Sequence, residues 1–142
     1  MRFLRKSYRK PVEKIFNELQ NHVTKPEGAG WHIAPGFGNR FGSIDLIPAK
    51  LADKLRQYPA AGKMLTWGYQ FSQQLTPINQ GWLAPGIAAA TFCDLGFQPR
   101  YGGALLQLIC APGLLAQGLE LSNKPVTTFP FISDDNYFIE TD

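Results

Sequence analysis

Residues 83–120, LAPGIAAATFCDLGFQPRYGGALLQLICAPGLLAQGLE, limit the possible folds more than any other part of the chain. Their apolar content and their Gly and Pro punctuation read as three short buried helices. The first covers 82–95, with Pro85 in its first turn and Gly96 as the glycine that ends it. Its Ala88-Ala89-Ala90 run allows close approach to a neighbour. The second and third cover 99–110 and 112–121, with a break at 111–113. Residues 104–121 form a run of ~18 residues, near the lower limit for crossing a bilayer. Gln107, Pro112, Gly113 and Gln117 interrupt it, which favours two buried helices and no membrane span.

The rest of the chain fits the same class. Val12, Ile15, Phe16, Leu19 and Val23 recur on one face of a 3.6-residue period and predict a helix over 10–23, with Pro11 suited to its first turn. A second helix is expected over 48–58, with Leu51 and Leu55 inward. A third is expected over 60–75, with Met64, Trp67, Phe71 and Leu75 inward. Residues 28–42 are too rich in glycine for a helix and could bring backbone N–H groups near an anion, but they lack the Lys-Ser/Thr ending of a P-loop. Residues 76–81 read as a turn. The β-branched and aromatic residues of 123–142 predict an extended tail. A chain of 142 residues, 44% hydrophobic, has enough apolar mass for one core. The expectation is a mainly α fold, with one helical domain over 1–122 and a tail over 123–142.

Net charge is +3, yet Arg2, Arg5, Lys6, Arg9 and Lys10 alone carry +5, leaving −2 for everything after them. No basic stripe continues into the body, so the end reads as a solvated helix end or a contact for an acidic partner, and no nucleic acid is expected. No apolar h-region follows it. Cys93 and Cys110 lie in apolar helical context, which suggests reduced, buried thiols and a cytoplasmic protein.

Three segments, in order, carry a family likeness. Pro35-Gly36-Phe37-Gly38-Asn39-Arg40 is similar to a Gly-Phe-Gly-His loop. Residues 84–97 are similar to a helix that opens on an aspartate and closes on Leu-Gly-Phe. Residues 108–120 are similar to an Arg-x-Pro-Gly-Leu-x-Ala-His-x-x-Glu stretch. Together they resemble the small domain of the citrate synthase and citryl-CoA lyase family, over roughly 35–140 and most strongly over 35–122. The helix over 10–23 weakly resembles the one that follows the family's first catalytic histidine loop.

The resemblance implies carbon–carbon bond chemistry on an acyl-CoA thioester. A carboxylate moves the α-proton, histidines stabilise the enolate and act on the keto oxygen, and arginines grip the dicarboxylate. Carried over by position, the aspartate is Pro85, the loop histidine is Asn39, the arginine before Pro-Gly-Leu is Cys110 and the histidine after it is Gln117. A clamping arginine falls at Ala49, beside a retained Pro48. Arg40 alone keeps a base beside the loop, and of the large domain only a last helix has a counterpart. Neutral side chains thus stand where the family keeps its proton-handling groups, so no catalytic residue is assigned. A binding site, if kept, falls to Gly36, Gly38, Asn39, Arg40, Pro112 and Gly113, with a CoA thioester as the possible ligand and no cofactor.

Other constellations are ordinary. His22 and His32 have no metal-ligand spacing with each other or with Cys93 and Cys110, and no metal is expected. Asp134 and Asp135 read as a solvated turn, Asp94 as a helix-end polar group, and Trp31, Trp67 and Trp82 as core. The sequence therefore implies a small-domain protein without catalysis of its own, acting as a partner-binding or regulatory subunit. Its partner would be a second copy or a citrate-synthase-like chain. The alternatives are a subunit of a split enzyme of that family and an acyl-CoA binding module.

Overall fold

The computed structural model describes residues 1–22, 32–40 and 42–125. It is mainly α: helices α1 (Arg2–Ser7), α2 (Val12–His22), α3 (Leu46–Leu55), α4 (Lys63–Leu75), α5 (Ala84–Asp94) and α6 (Gly102–Ser122). A two-residue ribbon joins β1 (Phe37–Gly38) to β2 (Gly81–Trp82), antiparallel, with Phe37 opposite Trp82. The chain forms two compact units, Met1–Leu106 and Gln107–Asp142.

The core of the first unit is built around α4. Leu65, Trp67, Phe71 and Leu75 are buried on one face, and α4 packs against α5, α2, α1 and β2. The basic N-terminal end is itself a helix. Leu4 and Ser7 of α1 are buried while Arg2, Arg5 and Lys6 stay exposed, as an amphipathic turn of helix requires. Arg5 Nη2 donates to Phe97 O at 2.7 Å and fastens α1 to the turn after α5. Lys10 therefore does not open the next helix. Its carbonyl accepts from Trp67 Nε1 at 3.0 Å, and α2 starts at Val12.

Phe37 is the hub of an aromatic cluster. It stacks on Trp82 with ring centroids 4.5 Å apart and meets Phe71 edge-on at 4.8 Å. This explains why Trp82 leaves the expected helix. Pairing with β1 buries its ring in the core, and α5 begins two residues later, with Pro85 in its first turn. In α3 the inner face is Pro48 and Ala52, whereas Leu51 is 45% exposed, because Asp45 caps the helix at Ile47 N and sets its register. On α4 Met64 is only half-buried, and Leu65 takes the inner position. Gly96, at φ +86°, ends α5 as expected, with Phe97 N bonded back to Phe92 O.

The expected break at 111–113 does not occur. α6 runs unbroken through Pro112, and the second and third expected helices are one. A proline removes one donor and crowds the preceding turn, yet the helix continues through both Pro112 and Gly113. No residue of α6 is buried. The tail beyond 125 and residue Trp31 lie outside the described residues.

Gln80 is fully buried, and neither polar atom of its side chain has a hydrogen-bond partner among the described residues. An unpaired buried amide costs about 1–3 kcal/mol. Gln80→Met, similar in size and apolar, is expected to raise the unfolding free energy by about that much, read as a higher urea midpoint at unchanged slope. A lower midpoint would show that the amide is satisfied.

Candidate functional site

α5 and the Gly-rich loop meet backbone to backbone. Leu83 N donates to Gly36 O at 3.0 Å, and a Cβ on Gly86 would lie 2.9 Å from Gly36 Cα. Gly36 sits at φ +90°. Both glycines are there for this contact, which leaves no room between them for a ligand. Asn39 is buried and its Nδ2 donates to Asn79 O at 3.3 Å. Asn79, itself left-handed at φ 57°, donates to Gly42 O at 2.6 Å. The loop is held by its own amides, so Gly36, Gly38 and Asn39 act first as scaffold. Arg40 is exposed, its backbone bridged to Ser43 in both directions. Of the other expected binding residues, Pro112 and Gly113 lie in the exposed, uninterrupted α6.

Pro85 opens on a cleft of about 390 Å³. Pro85, Ala89 and Phe92 of α5 form one wall. Gly103 and Leu106 from the first turns of α6 form another, and Arg2 of α1 stands at the lip. The size suits a small ligand. Arg2 is the one ionisable side chain among the described lining residues, so the cleft offers a positive charge and apolar walls without a carboxylate or imidazole. Sequence reasoning missed Arg2. The concentration of charge in the first ten residues was its signal, but only docking of α1 brings it beside Pro85.

Cys93 is buried, its Sγ 3.8 Å from Met1 O, and packs as a small apolar group. Cys110 is exposed on α6, against the expectation of a buried thiol. Trp67 and Trp82 are core, and His32 is exposed. Among the described residues no three His, Cys, Asp or Glu side chains gather as metal ligands. Asp134 and Asp135 lie outside the described residues.

Asp94 does more than end a helix. Its two carboxylate oxygens accept from Met64 N and Leu65 N, each at 2.9 Å, so the C-terminus of α5 caps the N-terminus of α4. A carboxylate on orphan helix N–H groups is favourable in hydrogen bonding and in dipole. Asp94→Ala is expected to cost about 1–2 kcal/mol in chemical denaturation, with Asp94→Asn recovering part of it. Equal stability of all three proteins would rule the cap out.

α6 is the other unusual surface. Leu108, Ile109, Leu114, Leu115 and Leu119 are each 60–70% exposed. Among the described residues one segment, Pro99–Ser122, is long and apolar enough to cross a membrane by length and composition. The break that argued against such a segment is absent, while Gln107, Pro112 and Gln117 remain within it. No family model, curated protein or solved structure matches the chain.

Proposed function

We propose that this chain is a citrate-synthase-like small domain that has lost catalysis and works as a partner-binding or regulatory subunit. One observation carries the reading: a 21-residue helix with no buried residue, whose large apolar side chains stand in solvent. Apolar surface of this extent marks an interaction site. Covering five leucine-class side chains, each about two-thirds exposed, offers roughly 5–10 kcal/mol before the costs of association. The cleft beside Pro85 supports the non-catalytic part, because its walls are proline, alanine and phenylalanine where enolate chemistry needs a base. The family likeness is supported by the meeting of the Gly36 loop with the start of α5, which brings the counterparts of the loop histidine and of the aspartate onto adjoining segments. The free thiols of Cys93 and Cys110 accord with a cytoplasmic setting.

The test is the mass of the purified protein in solution, with any co-purifying chain identified, alongside thioester turnover by the protein alone. A complex without turnover is expected. A lone, soluble monomer, or turnover by this chain unaided, would overturn the proposal.

The cleft also favours a second reading, a split enzyme. An apolar cavity with Arg2 at its lip could be completed by charged groups from another chain. Activity that emerges only on mixing with that chain would select this reading. Heat from a CoA thioester binding the protein alone would select an acyl-CoA module.

A further inference from the structure

The geometry points to a binding site for an alkyl carboxylate in the cleft of about 390 Å³ beside α5, with the Arg2 guanidinium on the carboxylate and the alkyl chain along the helix. Such a site goes beyond partner binding and is independent of whatever covers α6.

The shape comes from α5. Pro85, Ala88, Ala89 and Phe92 line the cleft at spacings of three, one and three, which places them on one face of the helix. That face runs about 10 Å along the axis. Its middle is two alanines. The other wall includes Gly103, where a Cβ would meet nothing within 4 Å. Short side chains thus leave the volume empty, while the buried ring of Phe92 and the half-buried Leu106 keep it apolar. A zigzag of C–C bonds of about 1.5 Å covers the length of the face in roughly eight carbons.

The head group comes from α1. Among the three arginines of the first ten residues, Arg5 donates to Phe97 O and Arg9 to Tyr8 Oη. Arg2 has no hydrogen bond or ion pair among the described residues. It is also the one lining side chain with a hydrogen to donate. The nearby backbone adds little. Pro85 and Pro99 have no N–H, Gly86 N and Ile87 N already bond to Leu83 O, and Gly102 N bonds to Pro99 O. A single guanidinium fork matches the two oxygens of a carboxylate. A phosphate would ask for more donors than these, and a neutral ligand would leave Arg2 unused. No acidic side chain lines the cleft to compete for it.

Titration calorimetry of the full chain with octanoate tests the site. Saturable heat is expected below millimolar concentration, with affinity falling about fourfold for each methylene removed. Arg2→Gln should weaken octanoate at least tenfold. It should not weaken octanol, which the parent should bind at least tenfold less tightly than octanoate. Unchanged octanol binding shows that the cleft of this variant is intact. Gly103→Leu, which fills the open space, should weaken both ligands at least tenfold with no fall in melting temperature. Leu115→Lys, on exposed α6, should leave octanoate binding as it was. Heat lost on Leu115→Lys and kept on Gly103→Leu overturns the cleft and puts the ligand on α6. Tighter binding of octyl phosphate than of octanoate overturns the carboxylate. Tighter binding of octanoyl-CoA overturns it in favour of the acyl-CoA module. No heat at millimolar octanoate removes the site and leaves the partner-binding reading standing.

Discussion

Phe37→Ala is expected to lower the unfolding free energy by about 4 kcal/mol, within the range for emptying a buried phenylalanine site. Phe37 has no exposed surface and touches three aromatic neighbours: Trp82, Phe71 and, at 6.2 Å, Phe3. These neighbours come from β2, α4 and α1, so the ring joins segments that do not otherwise follow one another. The hole cannot close easily, because Trp82 is held by its ribbon pairing and Phe71 is locked in α4 against Trp67 at 5.1 Å. Against a typical total of about 5–15 kcal/mol, this loss would leave the protein partly unfolded near its growth temperature. Urea titration followed by tryptophan fluorescence checks it. A loss under about 1 kcal/mol would mean that Phe37 is not in the core.

Gly86→Ala should be as damaging for the opposite reason. Its new methyl group would run into the carbonyl of Gly36, which is backbone and cannot rotate away. Gly36 is itself pinned at φ +90° by the ribbon, and its carbonyl accepts from Leu83 N. The strands and α5 would have to part, at a cost of about 3 kcal/mol. Gly113→Ala is the control. Its Cβ meets nothing within 4 Å, so the change should be neutral or stabilising by up to about 1 kcal/mol. Equal melting temperatures for Gly86→Ala and the parent would refute the close contact.

Both substitutions fall on residues whose type was visible in the chain but whose task was not. Gly36 was read as part of a loop able to approach an anion, and in the fold it approaches Gly86 instead. Trp82 was read as helical from its position before Pro85, and long-range pairing with Phe37 turned it into a strand residue. Asn39 drew notice as a replaced histidine, whereas its buried amide bond to Asn79 O links residues forty positions apart. Loop geometry of this kind depends on partners distant in sequence, which local periodicity cannot report.

What the chain determines alone is the mainly α character: the 3.6-residue spacing in α2 and α4, the Pro85 start and Gly96 stop of α5, and neutral side chains at Asn39, Pro85, Cys110 and Gln117. These follow from backbone preference and side-chain chemistry, which act within a few residues. Tertiary structure decided the rest. It docked α1 so that Arg2 reaches the cleft, used Asp94 to cap a helix thirty residues earlier in the chain, and carried α6 through Pro112 with its leucines in solvent. The physical reason is that an apolar helix reads the same in sequence whether its own domain or another molecule covers it. Only the packing of the remaining elements tells which, and here the core of the Met1–Leu106 unit closes around α4.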